Sequence, residues 1–359
     1  MNIGILGLAK AGKTTVFNAL TGHNALVDKY IQAHLEAHIG VVQVLDERVS
    51  RLSELYQPKK TIYAQFEFYD FPALFLHKSE DVQSAKLISE VKTMEGYAIV
   101  LRAFEDEEMD ELYGKPDPLR DLANLEDELL LHDMMIAEKR LEKIDLSYKR
   151  GVKTPAIQSE EKALHKILSS LHANQPIRSA SLGEDEARAI RGFQFLTGKP
   201  RLVILNCDES GMDAYSGVLE QLAGEGNLVA TLAGKFEYEL LNLDSSDAAA
   251  FRAELGISES ARDRIIHLCY QLMGYISFFT VGEDEVRAWT INRGDNALTA
   301  ASKIHSDLAR GFIRAECFQY ADLINHGSEK TLREKGLFKL EGKDYLVKDG
   351  DIISIRFNV

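Results

Sequence analysis

The stretch "GLAKAGKTT", residues 7–15, decides the fold. It follows the apolar run "MNIGIL" and leads into residues 14–20, which read as a helix. It fits G-x-x-x-x-G-K-[ST] with a strand before it and a helix after it, the setting that pattern requires. Gly7 and Gly12 let the backbone curl so that N–H groups around Lys10 and Ala11 point at phosphate oxygens. Lys13 can reach the β- and γ-phosphates, the Thr14 hydroxyl can bind Mg²⁺, and Thr15 continues the helix behind them.

Working outward, the flanking chain alternates strand and helix. Apolar, β-branched runs occur at 2–6, 40–45, 64–69, 98–103, 202–205 and 228–232, with helical stretches at 14–20, 46–55 and 84–94. Such alternation predicts an α/β domain, a mainly parallel sheet with helices on both faces. Ligands bind such sheets at the carboxyl ends of the strands. From 122 to 150 there is no Gly or Pro, and Leu130, Met134, Ala137, Leu141, Ile144 and Tyr148 follow steps of four and three. That is a heptad seam, stopped by Lys149, Arg150 and Gly151. A second helix, expected to be capped by Ser159, carries Leu164, Ile167, Leu168 and Leu171. The two make an antiparallel hairpin inserted in the first domain.

The C-terminal part reads as short strands at 278–280, 287–290, 313–315, 339–340, 344–347 and 352–357 around one helix, 299–308. "KDGD", 348–351, is a strong turn signal. Trp289 is read as a core residue. No nucleophile–base pair stands out there, so binding is favoured over catalysis. The expected division is a nucleotide-binding domain over 1–121 and 196–276, a helical insertion over 122–195, and a C-terminal module over 277–359.

Composition narrows the function classes. The chain has 359 residues, 45% apolar and 27% charged, so more than one core is expected. No apolar run approaches the roughly 20 residues of a membrane helix, and the N-terminus does not read as a signal peptide. Three widely spaced cysteines suggest buried thiols in a reduced, cytoplasmic setting. The net charge is −14, which opposes general nucleic-acid attraction, and no basic recognition helix suggests sequence-specific DNA binding. Residues 277–359 hold 12 basic and 13 acidic side chains, a net of −1, so the remainder carries −13. If any part meets RNA, the C-terminal part is the least repelled.

Several stretches together resemble the YchF-type Obg-like ATPases. These are "NIGILGLAKAGKTTVFNALTG", "YQPKKTIYAQFEFYD", "LRAFEDEEM", "EKRLEKI", "FFTVGEDEVRAWTI", "IHSDLARGFIRAE" and "LEGKDYLVKDGDIISIRFNV". The resemblance spans most of the chain. It implies a Ras-like, Obg-related P-loop NTPase domain, a helical coiled-coil hairpin and a C-terminal β-grasp module of the TGS type. It also implies a preference for ATP over GTP and a ribosome association, with ribosome or structured RNA met by the TGS module and the hairpin.

The resemblance also assigns residues. After the strand at 202–205 stands "NCDE", where GTP-selective relatives carry Asn-Lys-x-Asp. Asn206, Cys207 and Glu209 are then base-side residues, and Glu209 in place of Asp implies ATP. A one-residue shift that used Asp208 instead would restore a GTP reading. Ala233 and Gly234 would meet the base through their backbone. Asp70, in "YDFPAL", would hold the Mg²⁺ shell with Thr14, and Lys13 and Asp70 would be the catalytic pair. Two switch positions depart from the family: Ile39 where a metal-binding Thr is expected, and Ala73 where a Gly is expected. His38 and His77 lie near these switches and could take over a role. The expected activity is therefore slow hydrolysis by a translation-linked switch; the alternative is a non-hydrolysing adaptor tuned by nucleotide.

Overall fold

The computed structural model describes residues 2–22, 37–72, 82–209, 213–244 and 260–358. Ala73 and His77 lie outside the described residues. By internal contacts the chain divides into two units, Met1–Val41 with Glu67–Arg262, and Val42–Phe66 with Asp263–Val359.

The strands are β1 (Asn2–Leu6), β2 (His38–Val44), β3 (Lys60–Ile62), β4 (Ala64–Asp70), β5 (Gly96–Ala103), β6 (Arg201–Cys207) and β7 (Leu228–Leu232). The first sheet runs β2-β4-β1-β5-β6-β7. β1 pairs in parallel with β4 and β5, β5 with β6, and β6 with β7. This is the expected mainly parallel α/β sheet. Every residue of β5 is buried, as a central parallel strand covered on both faces requires. The register sets Ile5 beside Asp70 and Leu6 beside Ile99, so the chain leaves β1 at the carboxyl edge of the sheet between the ends of β4 and β5.

Helix α1 (Lys13–Thr21) follows at once, with Gly12 as its N-cap in the left-handed region, φ 84°. The insertion opens with two long helices, Pro118–Lys149 and Pro155–His172, and a shorter one, Glu184–Ile190, follows. Its seam is as read: Leu130, Ala137 and Ile144 are buried against Ala163, Leu164, Ile167 and Leu171, with Met134, Leu141 and Tyr148 packed at the margin. The second helix starts earlier than expected. Thr154, not Ser159, is its cap, accepting from the Ile157 N–H at 3.3 Å, and Pro155 sits at the first position, where its fixed φ suits a helix start. Among the described residues, no helix is long and apolar enough to cross a membrane.

The second unit is built on a mixed sheet. Its further strands are β8 (Tyr275–Thr280), β9 (Glu285–Asn292), β10 (Phe312–Gln319), β11 (Lys339–Glu341) and β12 (Asp351–Phe357), in the order β11-β10-β12-β8-β9-β3. β3 comes from the segment between β2 and β4 and pairs in parallel with β9. Two expectations are corrected here. Residues 299–308 are not one helix: Ala297–Ile304 and Ser306–Arg310 are separated by His305, whose backbone is extended and whose Nδ1 accepts from the Asp307 N–H at 3.2 Å. Residues 344–347 form no strand beyond a single antiparallel bridge between Leu346 and Asn296. Tyr345 O accepts from Ala297 N and Val347 N donates to Asp295 O, so this backbone satisfies the start of that helix instead. The "KDGD" turn is present, with Gly350 at φ 85° and Lys348 N donating to Asp351 Oδ2 at 2.8 Å. Trp289 is partly buried, stacked on Phe278, and donates to Thr280 Oγ1 at 3.0 Å.

Candidate nucleotide site

Three backbone demands shape the loop after β1. A Cβ on Gly7 would overlap the carbonyl oxygen of Val100 on β5, so only glycine fits there. A Cβ on Gly12 would overlap the Asn206 amide, and its φ is already left-handed. Lys10 also takes a positive φ, 62°. The loop is a tight concave turn capped by the start of α1, the geometry that gathers N–H groups toward an anion.

Lys13 turns back across it. Its Nζ donates to Gly7 O at 3.1 Å and to Leu8 O at 3.0 Å. The side chain is buried, and burial pulls its pKa down to about 8, with nearby Asp70 acting the other way. An ammonium that is costly to keep charged in a buried site has a strong claim on phosphate oxygens.

Asp70 closes the site from the end of β4. Thr14 Oγ1 donates to Asp70 Oδ2 at 2.7 Å, while Asp70 Oδ1 is buried without a hydrogen-bond partner. Burial raises the Asp70 pKa, opposed by the Thr14 hydrogen bond, by Lys13 and by His38. An orphaned carboxylate oxygen beside a threonine hydroxyl fits a hard cation that keeps most of its ligands as water and phosphate oxygens. Among the described residues there is no cluster of three or more His, Cys, Asp or Glu able to hold a metal by protein ligands alone.

β2 delivers a histidine to this corner. His38 Nδ1 lies 3.5 Å from Asp70 Oδ2. Along β2, Gly40, Val42 and Val44 are buried while Ile39, Val41 and Gln43 are exposed. Ile39, 53% exposed, therefore stands on the face opposite His38. The expectation that Ile39 occupies the metal-ligand position is corrected: strand alternation turns it away from Asp70, and a hydroxyl at 39 would point the same way.

The base-side residues separate. Asn206 Nδ2 donates to Ala11 O at 3.2 Å and its Oδ1 accepts from Gly234 N at 3.2 Å, so one buried amide ties the phosphate loop to the loop after β7. Ala233 is buried and Gly234 begins helix Gly234–Leu241. Cys207 is a correction. It is buried in the apolar cluster with Leu205, Leu222 and Leu125, and its Sγ lies 3.7 Å from Leu232 O, so it does not cover a base. Burial raises its pKa. Asp208 Oδ2 accepts from Glu105 N at 3.3 Å, and Glu209 is exposed. Phe104, not foreseen as part of the site, comes within contact of the position a Gly12 Cβ would take. Its place just past β5, opposite the end of β6, was the available signal.

The chain is similar to known proteins along its whole length. Residues 2–138 match a family model described as "50S ribosome-binding GTPase", and residues 275–358 match the YchF-GTPase_C model, described as "Protein of unknown function". The chain is 36% identical to "Ribosome-binding ATPase YchF" of Bacillus subtilis (strain 168), covering 100% of both chains. It is 36% identical to the protein of that name from Haemophilus influenzae, covering 99% of each. The solved Schizosaccharomyces pombe YchF GTPase superposes with a TM-score of 0.84 at 30% identity, over 99% of this chain and 97% of that one. A phosphate loop braced by Asn206, faced by Asp70 and carried on a chain alike to these relatives from end to end leads to one conclusion: this protein belongs to the YchF family.

Proposed function

We propose that the chain binds a purine nucleoside triphosphate with Mg²⁺ in the loop of residues 7–15, prefers ATP to GTP, hydrolyses it slowly and serves as a ribosome-associated switch. The observation that carries this reading is Asp70: one oxygen held by Thr14, the other buried and unsatisfied, beside a buried Lys13. Backbone N–H groups at Lys10, Ala11, Gly12 and Lys13 cradle the phosphates, and Thr15 stands behind Thr14. Lys13 meets the β- and γ-phosphates. Thr14 and Asp70 hold the Mg²⁺ shell, and the ion, when bound, neutralises charge on the transferring phosphoryl group. Asn206 fixes the loop that presents Ala233 and Gly234 to the base, and Glu209 rather than an Asp favours adenine.

The names of the bacterial relatives support the ribosome as partner, and a cytoplasmic location goes with it. The TGS-type C-terminal module and the helical hairpin are the parts assigned to ribosome or RNA contact. A rival reading, a binding adaptor that does not hydrolyse, is favoured by β2, which brings the His38 imidazole to Asp70 and carries no hydroxyl side chain that could bind a metal. Fluorescent ATP and GTP analogues titrated with and without Mg²⁺, followed by single-turnover phosphate release at saturating ATP, test both. Tighter binding of the ATP analogue, dependent on Mg²⁺, with measurable release supports the switch. Binding without release supports the adaptor, and no binding overturns the reading.

A further inference from the structure

A cavity of about 440 Å³ opens in the first unit, between the segments that lead into β5 and β6 and the helix Glu184–Ile190. It lies at the amino ends of these strands, while the loop of residues 7–15 lies at the carboxyl edge of the same sheet. Its lining has two characters. Ile177, Leu182, Ile190 and Phe195 form an apolar wall continuous with the hairpin core. Lys92, Arg191 and Lys199 bring three cations against one carboxylate, Glu95. Among the described residues none of these cations has an ion-pair partner, in a chain with 56 acidic and 42 basic side chains. Lys199 Nζ donates to the carbonyls of Lys92 and Met94 and lies 5.5 Å from the centre of the Tyr97 ring. Those contacts satisfy hydrogen bonds and supply no full negative charge. Asp133 acts on Lys92 and Lys199 from the core, but its oxygens are taken up by Leu196 N, Thr197 N and Thr197 Oγ1 at 2.7–2.9 Å. Burial pulls the Lys199 pKa down to about 8 and lowers that of Lys92 as well. A partly desolvated ammonium gains from an anion held beside it.

We propose that this cavity binds a small amphipathic carboxylate, with its head group on Lys92, Arg191 and Lys199 and its aliphatic body against Ile177, Leu182, Ile190 and Phe195. Small-molecule sites span roughly 300–1,000 Å³ and combine an apolar lining with a few placed polar groups, as this cavity does. An inorganic anion alone would leave the apolar wall in water, and an uncharged alkyl chain would leave the three cations unanswered. One wall comes from residues 177–195 and the other from residues 92–95 and 198–199. An occupant therefore ties the base of the hairpin to the starts of β5 and β6, at a site separate from the phosphate loop.

Calorimetric titration of octanoate into the full-length protein tests it, with acetate and octylamine as controls. Octanoate is expected to bind one site per chain and to raise the melting temperature, and each control to bind about tenfold more weakly or not at all. Lys92→Ala with Arg191→Ala should weaken octanoate about fivefold or more, whereas Lys92→Arg with Arg191→Lys should keep most of the affinity. Ala187→Trp, at an exposed position of the lining, should fill the cavity without touching its charges and weaken octanoate to a similar degree. Melting temperatures without octanoate, measured on the same preparations, show that the variants are folded. A wild type that does not bind octanoate would overturn the proposal. Octylamine bound as tightly as octanoate would make the cavity a plain apolar surface and overturn the carboxylate assignment. Octanoate affinity unchanged in the alanine pair or in Ala187→Trp would place the binding elsewhere and overturn the site.

Discussion

Thr14 and Asp70, 56 positions apart, are joined by a 2.7 Å hydrogen bond that leaves the other Asp70 oxygen buried and unsatisfied. The pair exists because α1 begins where β1 ends and β4 ends beside it. A buried carboxylate in this state opposes folding and favours a cation.

Asp70→Asn should therefore separate stability from binding. Burial raises the Asp70 pKa in the folded state, so this group withdraws stability as pH rises above its unfolded value. At neutral pH without Mg²⁺ the variant is expected to melt at or above the wild-type temperature. Its ATP affinity in Mg²⁺ should fall at least tenfold, about 1.4 kcal/mol, to the value wild type shows in EDTA. Calorimetric titration and thermal melts check both; a variant that keeps its Mg²⁺ dependence would remove Asp70 from the metal shell.

Lys13→Ala should remove most affinity, a hundredfold or about 2.7 kcal/mol, in a folded protein. The pH signature is specific. With the folded pKa at about 8 against an ordinary 10.5, the unfolded chain binds more protons between these values. Wild-type stability from this group therefore rises as pH goes from about 8 to 10.5, and the alanine variant lacks that rise. Polyphosphate binding should draw a proton onto Lys13 in the same range, seen as a dependence of binding heat on buffer ionisation enthalpy.

Asn206→Ala should lower stability by about 1–3 kcal/mol, because Ala11 O and Gly234 N lose a buried partner together. ATP and GTP affinities should fall by similar factors, since the amide braces two loops. Urea unfolding and nucleotide titration report the two effects. A loss confined to one base would make Asn206 a base reader.

Cys207→Lys should not change base choice, because it places an ammonium in the apolar cluster around Leu205 and Leu222. Its expected result is a destabilised protein, measured by denaturation. Glu209→Asp is the clean test of base preference, since Glu209 is exposed and tolerates the change. A shift of the ATP:GTP affinity ratio toward GTP is expected; an unchanged ratio would remove Glu209 from recognition.

Ile39→Thr should be nearly silent in stability, within about 0.5 kcal/mol, and in Mg²⁺ dependence, because it lies on the exposed face of β2. His38→Ala acts on the side that meets Asp70 and should change single-turnover phosphate release more than nucleotide affinity. Equal and small effects from both would place the switch function outside β2.

Much of this molecule is written locally. The loop of residues 7–15 announces itself because glycine, lysine and threonine at fixed spacing have a backbone meaning that survives any context. The parallel strands and the heptad seam are legible for the same reason: period 2 and period 3.5 are properties of neighbours in the chain. Which face a residue takes is different. Ile39 and His38 are adjacent letters, and only the pairing of β2 into the sheet decides that His38 meets Asp70. Cys207 reads as a site residue beside Asn206, yet strand alternation sends one to the core and the other to the phosphate loop. The strand Lys60–Ile62 carries no sign that its partner is Glu285–Arg287. Sequence determined the phosphate loop, the hairpin and the order of elements, because each is encoded by residues within a few turns or strand lengths of one another. Register, face and long-range partnership were decided only in the tertiary structure, because they follow from which surfaces must exclude water together.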